Sequence, residues 1–201
     1  MVKALSKDNY SRGDSQISVT TLIDAPRVRL LRDEHNDKLS EDVSEKLWSV
    51  LGTAVHNIFE DCAEGEYISE ERIFFDVNGW TVSGAIDIQK TEVDCSITIM
   101  DYKCTSVWSV IFGKEEWAEQ LNAYAYLVRK AKKVSVGKLQ IVAILRDWKK
   151  RDSQTKPDYP QSPIVIVDVP MWSEEQQNSY FEGRVELHQE ADFVSLVGEE
   201  L

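Results

Sequence analysis

The chain has 201 residues, of which 42% are hydrophobic and 29% are charged, and this composition predicts one soluble globular domain over residues 1–201. No apolar run approaches the roughly 20 residues of a membrane span and no secretory signal opens the sequence, so we expect a cytoplasmic protein with no membrane partner. The net charge of −12 argues against a protein that coats nucleic acid without sequence preference. The three isolated cysteines exclude a disulfide framework and a C-x-x-C metal site.

Helical patterns dominate the first third of the chain. Residues 1–15 are polar and without periodicity, which is typical of a flexible tail. Residues 18–35 follow a helical pattern opened by a Ser/Thr cap, and Pro26 predicts a kink or a break within it. A second helix is predicted over residues 44–65, where Gly65 ends it.

Strands and helices then alternate. Strands are predicted over residues 71–77, 80–90 and 96–103, and the Asn78-Gly79 pair predicts a hairpin between the first two. A helix over 114–132, strands over 138–148 and 162–170, and a helix over 173–193 capped by Ser173 complete the pattern. This order predicts an α/β fold with a mixed central sheet flanked by helices.

Several polar residues stand where packing alone does not explain them. His56 and Glu60 lie four apart on the second helix, outside its apolar stripe, either as an exposed pair or facing a cleft. Gln120 falls inside the apolar stripe of its helix, so its amide requires a buried partner, and Tyr124 lies one turn away.

The strands carry the remaining polar candidates. In the strand over 80–90, strict alternation places Asp87 on the face of Ser83 and Ala85, and Gly84 permits close backbone approach. Asp101 and Lys103 share one face of the strand over 96–103, which on its own predicts a salt bridge. Two carboxylates and an imidazole together suit Mg²⁺ or Mn²⁺, and a lysine beside them suits hydrolysis of a phosphodiester.

Four segments in this order, "LGTAVHNIFE", "VSGAID", "IMDYK" and "QLNAY", resemble the successive motifs of the PD-(D/E)XK nuclease superfamily, and most closely its RecB-type exonuclease branch. The resemblance covers about residues 17–128 and implies a restriction-endonuclease-like core. It also implies that His56, Asp87, Asp101 and the carbonyl of Tyr102 ligate Mg²⁺ or Mn²⁺ and that Lys103 positions the attacking water. Gln120 and Tyr124 would orient that lysine or contact DNA, with Glu60 and Glu71 as outer residues.

The resemblance implies a metal-dependent DNA exonuclease acting on single- or double-stranded ends. The chain lacks helicase domains and the cysteine quartet of an iron–sulphur cluster, so it is similar to stand-alone bacteriophage exonucleases of replication, recombination or repair, acting in the host cytoplasm. Homo-oligomers and recombination or replication proteins are the partners this implies. Two alternatives stay open on the same fold, namely a structure-specific or restriction-type endonuclease and a non-catalytic DNA-binding module.

The sequence also concentrates its positive charge in one stretch. Ten Lys and Arg residues and two acids lie between Arg129 and Lys156, which gives a local charge of +8 and leaves −20 for the rest of the chain. This stretch is either a solvated surface or the contact with an anionic partner such as DNA.

Overall fold

The computed structural model describes residues 13–39, 52 and 65–197 of the chain. Most of the predicted tail over 1–15 and of the predicted helix over 44–65 therefore lies outside the described residues. The prediction of a break at Pro26 is confirmed, because strand β1 (Ile17–Ser18) leads into helix α1 (Val19–Leu22) and a separate helix α2 (Pro26–His35). Ser18 caps α1 by accepting a hydrogen bond from the Thr21 N–H at 3.3 Å. Proline suits the first turn of α2, where no N–H needs an intrahelical partner.

A mixed β-sheet forms the centre of the molecule. Its longer strands are β2 (Tyr67–Val77), β3 (Trp80–Thr91), β4 (Ile97–Thr105), β5 (Val136–Leu145) and β6 (Ile164–Val169). Strands β3 and β4 pair antiparallel, β4 and β5 parallel, and β5 and β6 antiparallel. The hairpin between β2 and β3 is confirmed, with Asn78 and Gly79 at φ of 48° and 81°, the left-handed values that a tight primed turn requires.

One edge of β3 is shared by two partners. Strand β2 occupies the other edge over almost its full length, whereas β1 pairs parallel with Val82 and Ser83, and β4 pairs with Ile88 to Thr91. The stretch of β3 between Gly84 and Asp87 therefore lies between the two partners, with neither of them beside it. A gap is therefore left beside β3, between the end of the β1 pairing and the start of the β4 pairing.

Helices cover this sheet. After the short α3 (Val107–Phe112), helix α4 (Glu115–Leu127) packs on the strands and continues as a π-helical turn over Val128–Lys132. Helix α5 (Lys150–Thr155) follows β5, and α6 (Glu174–Val197) packs against α4 and α2. Ser173 starts α6 with a reciprocal capping pair, because its Oγ accepts from the Gln176 N–H at 3.2 Å while its own N–H donates to Gln176 Oε1 at 2.9 Å. The predicted α/β fold with a mixed sheet flanked by helices is confirmed.

The differences from the predicted elements lie in short pieces and at element ends: β2 begins at Tyr67, four residues before its predicted start, and β5 ends at Leu145, three residues before its predicted end. Elements β1, α3 and α5 have two to six residues, too few for a hydrophobic period to register. The helix predicted over 114–132 is α-helical only to Leu127, and its last five residues are π-helical. Among the described helices, none combines the length and the apolar character needed to cross a membrane.

Candidate active site

Two buried carboxylates face each other where β3 and β4 separate. The register that pairs Gln89 with Ile99 and Ile88 with Met100 would next place Asp87 opposite Asp101, but the pairing ends at Ile88. The Tyr102 N–H instead donates to Asp87 Oδ2 at 2.8 Å. Asp87 is only 9% exposed and Asp101 only 2%. The side chain of Asp87 therefore bonds the β4 backbone at the point where the two strands separate.

The alternation of β3 is interrupted beside Asp87, so the strict alternation predicted over residues 80–90 is wrong at this point. Gly84 faces α4, since a Cβ there would lie 2.8 Å from Leu127 Cδ1. Gln89 faces the same side of the sheet, because Lys132, in the π-helical turn that continues α4, donates from Nζ to Gln89 Oε1 at 2.9 Å. Residues five apart share one face only where alternation is broken. The regular pairing of β2 with β3 omits Glu70 and Asp87, and Glu70 has a left-handed φ of 49°.

The Asp101 carboxylate is held from two sides. Gln120 Nε2 donates to Asp101 Oδ1 at 3.0 Å and also to the Tyr124 hydroxyl at 3.0 Å. Gln120 thus has the buried partner that its place in an apolar stripe requires. On the other side, Lys103 Nζ lies 2.8 Å from Asp101 Oδ2 as an ion pair, without the alignment of a hydrogen bond.

Burial and like charge make the ionised form of Asp87 unfavourable. Desolvation raises the pKa of Asp87 well above its ordinary value, and the charge of Asp101 raises it further. The hydrogen bond from the Tyr102 N–H and the charge of Lys103 lower this pKa but do not restore it. The neighbouring carboxylate of Glu70 adds a smaller increase. The site therefore concentrates negative charge that one lysine does not balance.

Lys103 connects this buried pair to an open cleft. A cleft of about 510 Å³ begins at its side chain, which is 30% exposed, whereas that of Asp101 is 3% exposed. Its walls come from the segment between α1 and α2, the end of β4, and the start of α4, and comprise Ile23, Asp24, Ala25, Lys103, Cys104, Thr105, Lys114, Glu116, Trp117, Glu119 and Gln120. A molecule in the cleft can therefore meet the ammonium group of Lys103 beside the buried carboxylates.

The structure brings together five of the predicted site residues: Asp87, Asp101, Lys103, Gln120 and Tyr124. Tyr102 joins them through its backbone N–H, and ligation by its carbonyl stays a prediction. His56 and Glu60 lie outside the described residues.

Glu71 is turned toward a different group, since its carboxylate accepts from Gln89 Nε2 at 2.6 Å and from Lys132. Glu70 is the β2 carboxylate that acts on the pKa of Asp87. The two-residue Asn78-Gly79 turn is the sequence signal that could have found it, because the register that starts with Val77 opposite Trp80 places Glu70 level with Asp87.

The donor chemistry of the described residues suits a hard cation in part. Two buried carboxylates favour a divalent cation that binds oxygen. Within residues 13–39, 52 and 65–197, however, no group of three or more His, Cys, Asp or Glu side chains is arranged to hold a metal ion. Any further protein ligand to a metal at Asp87 and Asp101 would be a backbone oxygen or a residue outside this part of the chain.

The basic stretch of the sequence divides into two separate groups. Arg129, Lys130, Lys132, Lys133 and Lys138 lie near the amino end of β5, whereas Arg146, Lys149, Lys150, Arg151 and Lys156 follow its carboxyl end, about 30 Å away along a ten-residue strand. In the first group, Lys132 pairs with Glu71, and Lys138 pairs with Asp168 at 3.1 Å. Only the second group lies at the end of the sheet that carries Lys103.

Comparisons with known proteins bear on the fold. No protein-family model matches the chain, and no curated protein matches it. The crystal structure of SSO0001 matches with a TM-score of 0.58 and 17% identity, over 96% of this chain and 81% of that one. A Eubacterium rectale protein named "Putative exonuclease" matches with a TM-score of 0.39 and 11% identity, over 95% of this chain and 69% of that one. The first likeness shows a shared fold alone, and the second is too loose to support an argument.

Proposed function

We propose that the protein is a divalent-metal-dependent deoxyribonuclease that hydrolyses phosphodiester bonds from DNA ends. The observation that supports this most strongly is the group formed by Asp87, Asp101 and Lys103, in which two buried carboxylates lie beside an ammonium group that borders an open cleft. A salt bridge alone would explain Lys103 and Asp101. It would not explain why Asp87 is kept nearby at an electrostatic cost or why Gln120 holds the other oxygen of Asp101.

Asp87 and Asp101 are the residues that would hold Mg²⁺ or Mn²⁺, with the carbonyl of Tyr102 and with His56. Such a cation, when bound, supplies Lewis acidity toward a phosphate oxygen and lowers the pKa of water. It would also offset the two effects that make the ionised form of Asp87 unfavourable, which are burial and the charge of Asp101.

Lys103 has the position for charge stabilisation. Its ammonium group borders the cleft, so it can donate to a phosphate oxygen or to the attacking water while Asp101 restrains it. Gln120 restrains Asp101 in turn, and Tyr124 accepts the second hydrogen bond of that amide. This chain of contacts fixes the direction of Lys103 before the substrate arrives, which favours catalysis because no reorganisation is then needed.

Cleavage assays on linear and closed circular DNA test this proposal, with Mg²⁺ or Mn²⁺ and with EDTA as the blank. We expect mononucleotides from linear DNA only, and a loss of roughly 100-fold or more in Lys103→Met, the range for removing a group that stabilises transition-state charge. Lys138→Met is the matched control, because this lysine pairs with Asp168 at the opposite end of β5. Full activity in Lys103→Met would contradict the assignment, and nicking of circles without mononucleotide release would favour an endonuclease.

A further inference from the structure

Two exposed aromatic rings are stacked on α3, beside the cleft. Trp108 is 54% exposed and Phe112 78% exposed, with ring centroids 5.8 Å apart and planes inclined by 14°. Helix α3 connects Thr105 with Lys114, and both of these residues line the cleft. Large apolar side chains that remain this exposed are unfavourable in water, so they indicate a surface that another molecule covers.

Positive charge adjoins this aromatic stack. Strands β4 and β5 are parallel neighbours, so the segments that follow them emerge at the same edge of the sheet. The Arg146 N–H donates to the Thr105 carbonyl at 3.0 Å, and the Val107 N–H donates to Asp147 Oδ1 at 2.7 Å. The segment with exposed Arg146, Lys149, Lys150 and Arg151 is therefore bonded directly to the start of α3.

Hydrogen bonds anchor the basic segment to the loop that follows α5. Trp148 Nε1 donates to the Pro160 carbonyl at 2.7 Å, and the Lys149 N–H donates to the hydroxyl of the buried Tyr159 at 2.9 Å. The two acids of the segment are engaged, since Asp147 accepts from Val107 and Asp152 pairs with Lys156 at 3.0 Å. The backbone that carries the cations is consequently fixed relative to the start of α3.

We propose that Trp108 and Phe112, with the basic residues that follow β5, form a platform for unpaired bases of single-stranded DNA. Aromatic faces stack on bases of any sequence, and flanking cations contact the phosphates. Bases inside a duplex hide their faces against one another, so the platform selects a single-stranded segment. This inference deepens the proposed function, because it names the form of DNA that is led from the platform toward Lys103.

Binding in EDTA tests the platform without cleavage. We expect the anisotropy of a labelled oligothymidine to report that Trp108→Ala and Phe112→Ala each weaken binding about 5- to 150-fold, the equivalent of 1–3 kcal/mol per stacked base. Affinity for a blunt duplex should stay the same. Phe193→Ala is the matched control, because Phe193 is 66% exposed but lies on α6. In Lys150→Ala/Arg151→Ala the negative slope of log K against log salt should become shallower by about 1.4, because two phosphate contacts at about 0.7 each are lost.

The outcomes separate this proposal from the nuclease proposal. Unchanged oligothymidine affinity in Trp108→Ala/Phe112→Ala would overturn the platform, even if the wild-type protein cuts DNA. The same unchanged affinity with a loss of self-association in light scattering would assign the rings to an interface between copies of the chain. Ring-dependent binding by a protein that cuts no DNA would support the platform and contradict the nuclease.

Discussion

The absence of a side chain at Gly84 lets α4 approach β3, and adding one methyl group tests how strictly the site depends on this approach. In Gly84→Ala the new Cβ would lie 2.8 Å from Leu127 Cδ1 and 3.0 Å from two ring carbons of Tyr124. Both of these side chains are buried, Leu127 completely, so neither can swing away into solvent. These side chains must therefore repack against their neighbours or the helix must shift, and a shift of the helix carries Gln120 with it.

The magnitude follows from the cost of overpacking. Forcing an extra carbon into a packed core destabilises a protein by about 1–3 kcal/mol. A chain of this length loses about 2–4 °C in Tm for each kcal/mol, so we expect Tm to fall by about 2–12 °C. Because the displacement is directed at Tyr124, the hydrogen bonds of Gln120 to Tyr124 and Asp101 should lengthen, and DNA cleavage should decline with stability.

Thermal unfolding followed by circular dichroism provides the measurement, with Gly183→Ala as the matched control. Gly183 lies inside helix α6, and a Cβ there meets no atom within 4 Å, so this substitution should stabilise the protein by about 0.5–1 kcal/mol. The double variant Gly84→Ala/Leu127→Ala should lose less stability than the sum of the losses in the two single variants, because the second change removes the obstructing methyl. A Gly84→Ala protein that melts at or above the wild-type temperature would refute the close packing of α4 on β3.

Two pH-dependent predictions concern buried titrating groups, measured as Tm against pH in EDTA. Burial and the charge of Asp101 raise the pKa of Asp87, so the folded protein binds this proton more tightly than the unfolded chain. Stability therefore falls as pH rises above 3.8, the ordinary pKa of an aspartate side chain. Asp87→Asn should therefore melt higher than wild type at neutral pH, with an advantage that disappears below about pH 4, and a constant difference at all pH values would contradict the assignment. Burial, followed by the charges of Arg29 and Arg184, lowers the pKa of His188 below 6.5, so stability should fall as pH drops through 6.5. His188→Gln should flatten this part of the curve, and an unchanged slope would mean that another group titrates.

Local periodicities predicted much of the site. A period of two placed Asp101 beside Lys103, and these residues form the ion pair. A helical period placed Gln120 in an apolar stripe, and the cost of an unsatisfied buried amide demanded a partner, which proves to be Asp101 together with Tyr124. Such predictions work because they depend only on the geometry of one element and on the chemistry of a single group.

Other features depend on relations between elements and were not predictable. The pairing of β3 with β4 ends at Ile88, where the two strands separate. The break in the alternation of β3 lies opposite Glu70, which has a left-handed φ. The basic residues between Arg129 and Lys156 were predicted to form one surface because they are close in sequence. Strand β5 runs between them and places the two halves at opposite ends of the sheet. Helix α3, with its two exposed rings, has only six residues and shows no hydrophobic period.

One wall of the cleft is held by the last helix of the described chain. Arg184 Nε donates to the Leu22 carbonyl at 2.8 Å and a second guanidinium nitrogen donates to the Asp24 carbonyl, while His188 Nε2 bonds the Leu22 carbonyl at 3.1 Å. About 160 residues of sequence separate these partners, so during synthesis on the ribosome the wall near Ile23 and Asp24 stays unsupported until α6 has emerged. A nascent chain arrested before α6 would contain β3, β4 and α4 without this wall. The wall of the cleft is therefore completed only after α6 has been synthesised.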